Sequence, residues 1–235
     1  MMCARLQTAG GLASVVIASS VRNPDVRALA IAAGWDGAGP IELRVNSGVD
    51  VAGLVIPATI PNNCLILVNR GRIGGVINSG KGLQALTRIT VDNAGGTIQG
   101  SGGMGGVGGQ VMIGNGEGYN AAGSRGNGGN GAGFSASSTV TLLAASAGTN
   151  GTTAQLGGPT IGGQQPGKST GGTGGAGGAL NQPGGAGSNG YATGAYQTIQ
   201  TLSYGEAGQP AGPAVDGDSK ITWIALGTIS GSRIN

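Results

Sequence analysis

The chain reads Gly102-Gly103-Met104-Gly105-Gly106-Val107-Gly108-Gly109 near its middle, and Gly171-Gly172-Thr173-Gly174-Gly175-Ala176-Gly177-Gly178 repeats the pattern. In both stretches a glycine doublet recurs every three residues. A period of three fits neither the α-helix nor the β-strand, and matches the left-handed extended helix that has three residues per turn and no internal hydrogen bonds. Such helices must hydrogen-bond to neighbouring segments, and glycine lets the backbones approach closely. The pattern therefore predicts a stack of polyglycine II helices.

The glycines of these two stretches are the ones to which we assign a structural role. They are Gly102, Gly103, Gly105, Gly106, Gly108, Gly109, Gly171, Gly172, Gly174, Gly175, Gly177 and Gly178.

The composition favours an ordered scaffold over a disordered tail. Glycine accounts for 54 of 235 residues, but only 9% of residues are charged and 38% are apolar. Low charge and interspersed apolar segments argue against disorder. The net charge of +3 is mild and the cationic residues are scattered singly, which indicates neither nucleic-acid binding nor a membrane-binding patch.

The first residues and the cysteines carry little functional signal. Residues 1–21 resemble a secretory signal only superficially, and no segment is apolar enough to insert into a membrane. Cys3 and Cys64 lack the spacing of a metal site, and two thiols are favoured over a disulfide between them.

The N-terminal part predicts a β-rich domain with one short helix. Over 23–33, Asn23 can cap a helix, Pro24 fits its first turn and Gly34 can end it. Residues 5–20 fit a helix or a strand. From residue 40, short β-branched segments follow at 41–45, 49–56, 64–68, 71–77 and 87–91, and residues 68–73 resemble a tight hairpin turn.

The glycine-rich part contains several candidate runs joined by segments of unequal length. The runs are 102–109, 126–133, 157–163, 171–178, 184–190 and, weakly, 205–213; the segments between them are 110–125, 134–156, 164–170, 179–183 and 191–204. Residues 138–143 fit an added strand or an apolar loop.

An alternating apolar strand at 220–227 predicts that the C-terminus returns to a sheet. The fold class is thus mainly β plus irregular structure. We expect a β-rich attachment domain at 1–95, a polyglycine II sandwich with variable loops at 96–213 and a closing strand at 214–235.

The residues that enzymes need are scarce. The chain has no histidine, and its nine acidic residues are spread out, so we expect no catalysis, metal or cofactor. Residues 162–169 match the phosphate-loop pattern G-x-x-x-x-G-K-[ST]. That loop needs a helix after it, and the glycine-rich segment that follows is a poor helix former, so we reject nucleotide binding.

Contact residues are predicted in the connecting segments. If consecutive runs alternate in direction, segments 110–125, 164–170 and 191–204 emerge at one end and bring all four tyrosines there. Tyrosine gives a large contact area at low entropic cost. The alternative is that some tyrosines simply cover the glycine stack. The candidate receptor-binding residues are Tyr119, Asn120, Arg125, Gln164, Gln165, Lys168, Tyr191, Tyr196, Gln197 and Tyr204.

The chain resembles bacteriophage receptor-binding proteins. Its glycine runs are similar to the polyglycine sandwich of T-even-type tail-fibre tip adhesins, whose variable loops contact bacterial surface receptors. Residues 32–37 and 221–228, each with a tryptophan, are similar to segments flanking glycine-rich domains in siphophage tail fibre and tail-tip proteins. The chain departs from these families in two places. After Gly227-Thr228 the family often continues with a basic residue and glycine, whereas this chain has Ile229-Ser230-Gly231. Its N-terminal part is also unlike the attachment domain of T-even adhesins.

The resemblance implies a non-enzymatic tail fibre tip protein that recognises a bacterial glycan or outer-membrane protein. It also implies other virion proteins as docking partners and a homo-oligomer, with a trimer as one arrangement. The competing interpretation is a structural head-decoration or head-fibre protein on the capsid surface.

Overall fold

The computed structural model describes residues 11–158, 166–196 and 198–235. The chain forms two compact units. The β-helix unit contains the residues up to Ser101, Gly133–Leu143 and Gly212–Asn235, and the glycine unit contains Gly102–Ala132 and Ala144–Ala211. The prediction of a mainly β fold is confirmed.

In the described ranges, one α-helix, α1 (Val26–Ala32), and one 3-10 helix, Asp218–Lys220, accompany the strands. The strands in chain order are β1 (Ala13–Ile17), β2 (Val21–Arg22), β3 (Ile41–Val45), β4 (Asp50–Ala52), β5 (Leu54–Ile56), β6 (Leu65–Asn69), β7 (Arg72–Gly74), β8 (Leu83–Ala85), β9 (Ile89–Asp92), β10 (Thr97–Gln99), β11 (Gln110–Gly114), β12 (Asn120–Ala122), β13 (Gly133–Phe134), β14 (Leu142–Leu143), β15 (Thr153–Gln155), β16 (Lys168–Thr170), β17 (Tyr191–Thr193), β18 (Thr198–Ser203), β19 (Val215–Asp216), β20 (Ile221–Ala225), β21 (Thr228–Ser230) and β22 (Arg233–Ile234).

The β-helix unit is built from three parallel sheets. Their strand orders are β1-β3-β6-β9-β20, β2-β4-β7-β10-β21 and β5-β8-β19-β22. Successive circuits of the chain add a strand to each sheet, which makes a parallel β-helix. The chain leaves this helix after β10 for the glycine unit and resumes the circuit at β19, which pairs with β8.

Residues at equal positions in successive circuits stack to form the core of the β-helix. Val15, Leu43, Leu67, Val91 and Trp223 lie level with one another across five strands. Neighbouring strands of a sheet lie about 4.8 Å apart, so these side chains pack directly on each other. The alternation that predicts each strand also predicts which of its residues enter this stack.

Two sequence-based details of the unit are wrong. Residues 68–73 do not form a hairpin, because β6 and β7 do not pair with each other. β6 pairs in parallel with β3 in one sheet, and β7 pairs in parallel with β4 in the next sheet. The cap of α1 is Asp25 rather than Asn23, since a carboxylate oxygen of Asp25 accepts from the Ala28 N–H at 2.9 Å. The peptide N–H of Asn23 donates instead to the carbonyl oxygen of Ala52.

Phe134 lies in the β-helix unit and is fully buried. It bridges to Val76, and the guanidinium group of Arg72 lies 5.3 Å from the centre of its ring. Its strand β13 pairs with β14, so the predicted extra strand at 138–143 exists but covers only its last two residues. Burial removes Phe134 from the aromatic residues that could contact a receptor.

The described residues of the glycine unit form six extended runs: run 1 (102–109), run 2 (124–132), run 3 (144–152), run 4 (171–178), run 5 (182–190) and run 6 (205–211). Their backbone hydrogen bonds repeat every three residues. Gly102, Gly105 and Gly108 donate to run 2, whereas Gly103 and Gly106 donate to run 5. The three-residue period is thus present, and the polyglycine II torsion angles stay a prediction.

The hydrogen bonds arrange the runs in two layers. One layer holds runs 2, 1 and 6, the other holds runs 3, 4 and 5, and runs adjacent in sequence point in opposite directions. The central runs 1 and 4 each bond to four other runs, whereas the corner runs 3 and 6 each bond to two.

This arrangement explains the doublets. A Cβ on Gly105 would collide with the carbonyl group of Gly175 in run 4, and one on Gly106 would collide with that of Glu206 in run 6. The third position of each turn, such as Met104, is partly exposed and accepts a side chain. A central run therefore needs two glycines in every three residues.

The predicted run at 157–163 is wrong as far as its described residues show, since Gly158 has a left-handed φ of 93° and 159–163 lie outside the described part. Run 3 lies at 144–152 instead and has two glycines in nine residues, Gly148 and Gly151. The hydroxyl oxygens of Ser146, Thr149 and Thr152 accept from N–H groups of run 2 at 2.7–2.8 Å. A corner run has fewer close neighbours, so the doublet rule does not detect it.

Candidate functional site

The alternating directions of the runs bring three connecting segments to one end of the glycine unit. Segments 110–123, 153–170 and 191–203 leave runs 1, 3 and 5 at this end. The condition on which the sequence-based site depended therefore holds, although the segment boundaries differ by several residues.

These segments form two small sheets that pack on each other, which we call the end sandwich. One sheet has the order β12-β11-β18, and the other has the order β15-β16-β17. Val111, Ile113 and Ala121 of the first sheet and Leu156 of the second segment form the buried core between them. The contact residues thus stand on paired strands as well as on loops.

Ser169 joins the two sheets. Its side chain is fully buried, and its hydroxyl group donates to the carbonyl oxygen of Val111. Ser169 and Lys168 are the last two residues of the phosphate-loop pattern, and both lie on strand β16 where a phosphate loop would begin a helix. The rejection of nucleotide binding agrees with this placement.

The sheet β15-β16-β17 presents a polar outer face. Because strand residues alternate between faces, the inward row is Ala154, Ser169 and Ala192, and the residues on either side of it point outward. Lys168 lies opposite Gln155 on one side and Thr193 on the other. Tyr191 is 58% exposed and lies diagonally across from Lys168, within reach of a shared ligand.

The turn between β11 and β12 holds Tyr119 beside the sandwich. The buried Asn115 organises this turn, since its side-chain oxygen accepts from the N–H groups of Glu117 and Tyr119. The ring of Tyr119 lies against Gly157 and Gly158 and remains half exposed. Asn120 follows on β12 and is exposed opposite Gly114.

The other predicted residues are placed differently. Arg125 lies on run 2 and pairs with Glu206 of run 6 at 3.3 Å, so it lies along the runs rather than in the end sandwich. Tyr196 and Tyr204 are exposed and flank β18. Gln164, Gln165 and Gln197 lie outside the described residues.

The sequence analysis missed the apolar residues of β18. Ile199 is 55% exposed and Leu202 is 45% exposed, and both belong to the six-residue strand Thr198–Ser203. The sequence indicates an exposed strand here in two ways: the segment has no charged residue, and it contains the β-branched residues Thr198, Ile199 and Thr201. Tyrosines and polar side chains alone do not indicate this segment.

Within the described ranges, no group of three or more His, Cys, Asp or Glu side chains lies close enough to hold a metal ion. No helix in the same ranges has the length and apolar character that crossing a membrane requires.

One comparison, that with protein-family models, agrees with the sequence resemblance. None of the curated proteins matches the chain. Among solved structures, the gp37-gp38 adhesin tip complex of the bacteriophage S16 long tail fibre matches at a TM-score of 0.49 and 19% identity, and the match covers 94% of this chain and 81% of that one. The family model described as phage tail fibre adhesin Gp38 matches residues 13–234. Because that match spans most of the chain, the chain belongs to the Gp38 family of phage tail fibre adhesins.

Proposed function

We propose that this tail fibre tip protein binds its bacterial surface receptor through the end sandwich. The observation that carries the proposal is the convergence of three connecting segments at one end of the glycine unit. Rigid extended runs hold these segments in fixed positions, which favours recognition because little order must be gained on binding.

The outer face of β15-β16-β17 supplies one set of contacts. Tyr191 offers an aromatic ring, Lys168 a cation, and Gln155 and Thr193 hydrogen-bonding groups on neighbouring strands. Tyr119 and Asn120 supply further contacts from the adjoining turn. Such a face suits a bacterial glycan or an outer-membrane protein, and the adhesin acts by binding, without catalysis.

We assign attachment to the rest of the virion to the β-helix unit. Its last circuit, β20, β21 and β22, ends the three sheets and exposes Ile224, Leu226 and Ile234. This end suits another virion protein, for which a trimeric partner is the arrangement we expect. The Ile224→Lys change should prevent incorporation into particles while the purified chain still binds cells. Normal incorporation of the Ile224→Lys variant into particles would contradict the assignment of virion attachment to this end.

The exchange of residues 191–204 with those of a relative of different host range tests the receptor surface. We expect the exchange to transfer adsorption to the relative's host. Unchanged adsorption would contradict the proposal. Family membership places the chain in the tail fibre, so the head-decoration alternative is set aside.

A further inference from the structure

Strand β18 leaves one edge of the end sandwich open. Its six residues, Thr198–Ser203, make it the longest strand in the described part of the chain, and it pairs with β11 alone. Five of the six residues are exposed. Alternate backbone N–H and C=O groups therefore face away from the sheet along Thr198–Thr201, before a β-bulge at Leu202.

Edge strands are ordinarily short, charged, or interrupted by proline, which prevents pairing with other chains. The other three edge strands of the end sandwich, β12, β15 and β17, have three residues each. In contrast, Thr-Ile-Gln-Thr-Leu-Ser in β18 is twice as long and contains neither charge nor proline. A β-bulge at Leu202 interrupts the pairing with β11, and Thr198–Thr201 before it form a regular open edge without charge or proline.

An exposed apolar residue of β18 lies beside the core of the end sandwich. Ile199 lies level with Ile113, which is 1% exposed in the core of the end sandwich. The row of core residues thus continues onto Ile199, where no strand of the described part covers it. Leu202, which is also exposed, is the extra residue of the bulge between Thr201 and Ser203.

We propose that β18 binds an extended polypeptide segment of the bacterial receptor, which pairs with its open edge as an added strand. A row of alternating backbone donors and acceptors is complementary to another strand, and a glycan offers no such row. The segment should carry uncharged β-branched or aromatic side chains that cover Ile199. The edge adjoins the proposed receptor surface, on which this inference rests.

The first test changes the edge itself in the purified full chain. The Ile199→Lys change places a charge where the added strand would pack, and should weaken binding to cells at least tenfold without changing the melting temperature. Leu143→Lys is the matched control, since Leu143 is also an exposed strand residue but belongs to the β-helix unit. It should bind within twofold of the wild type.

The second test locates the contact by hydrogen–deuterium exchange. Membrane vesicles from a strain that the purified chain binds should slow the exchange of the outward-facing amides of residues 198–203 at least tenfold. Protease treatment of the vesicles should abolish this effect. Unchanged exchange, protection that survives the protease, or protection that grows with chain concentration without vesicles would each overturn the inference; the last would indicate pairing between two copies.

The two proposals fail separately. If Ile199→Lys binds normally while Tyr191→Ala does not, the edge inference falls and the receptor surface stands. If both variants bind normally, both proposals fall.

Discussion

The hydroxyl group of Ser169 donates a hydrogen bond to the carbonyl oxygen of Val111, and these residues belong to different sheets of the end sandwich. Ser169 is fully buried, and Val111 is 5% exposed. The hydroxyl oxygen of Ser169 also accepts from the N–H group of Gly123, which follows β12, at 3.4 Å. The two sheets share a core of few residues, so the Ser169 side chain contributes to how they are placed on each other.

Replacement of Ser169 by alanine should loosen the end sandwich. The change leaves the Val111 carbonyl without this donor, and such a loss costs about 1–3 kcal/mol. We expect faster amide exchange in β11 and β16 and weaker binding to cells. Ser138→Ala, at an exposed serine of the β-helix unit, is the control. Equal exchange rates in both variants would show that Ser169 does not join the sheets.

Gly105→Ala should destabilise the glycine unit strongly. The added Cβ would meet the backbone of run 4, which cannot move without breaking its own hydrogen bonds. We expect a loss of about 3 kcal/mol or more in the free energy of unfolding.

Thermal denaturation followed by circular dichroism measures this loss. Met104→Ala is the control, since position 104 already carries a Cβ and is partly exposed. A melting temperature of Gly105→Ala equal to that of the control would refute the explanation of the glycine doublets.

Much of the scaffold could be predicted because close packing of the runs leaves a short repeat in the sequence. The doublets of runs 1 and 4 follow from close neighbours on several sides, and they predicted both runs correctly. Run 3 was missed because a corner position needs fewer glycines, and the Ser146, Thr149 and Thr152 repeat that replaces them was not sought. The strands of the β-helix were predicted, but their arrangement was not. Apolar residues alternate in the same way in a hairpin and in a parallel β-helix, so the alternation does not distinguish the two.

The candidate site was predictable in part. Alternating run directions predicted that the tyrosine segments share an end, and the backbone hydrogen bonds place the described residues of 110–123 and 191–203 at one end. Their role in receptor binding stays a proposal. The pairing of those segments into two sheets depends on contacts between residues far apart in sequence, such as β11 with β18. For the same reason, the exposed edge of β18 was recognised only in the structure.

Asn93→Ala should destabilise the β-helix unit. Asn69 and Asn93 are fully buried, and the side-chain amide of Asn69 donates to the side-chain oxygen of Asn93 at 2.7 Å. The amide of Asn93 donates in turn to the carbonyl oxygen of Leu226 at 2.5 Å, which ties the last circuit to the one before it.

Loss of these hydrogen bonds of Asn93 should lower the free energy of unfolding by about 1–3 kcal/mol. Chemical denaturation gives the value, with the exposed Ser47→Ala as the control. A change of less than about 0.5 kcal/mol, as for ordinary surface substitutions, would show that the hydrogen bonds of Asn93 contribute little to stability.

Acid should destabilise the β-helix unit through two ion pairs. A hydrogen bond from Arg70 holds the pKa of Asp92 below its usual range, and one from Lys81 does so for Asp216. A carboxyl group with a lowered pKa in the folded state stabilises fully above its unfolded pKa of about 3.9. That stabilisation is lost as the pH falls through the folded pKa.

The melting temperature should therefore be nearly constant from pH 7 to about pH 5 and fall below about pH 4. Asp216→Asn should melt lower than the wild type at pH 7 and show a smaller fall in acid. Parallel curves for the variant and the wild type would exclude Asp216 as a source of the pH dependence.

The central claim is that the end sandwich binds the receptor, and the most direct test is the equilibrium binding of the purified full chain to host cells. The double variant Lys168→Ala with Tyr191→Ala removes a cation and a ring from one exposed face. Arg27→Ala with Leu29→Ala is the matched control on the exposed side of α1 in the β-helix unit. We predict at least a tenfold loss of binding for the first pair with an unchanged melting temperature, and binding within twofold of the wild type for the second; equal binding by both pairs would contradict the claim.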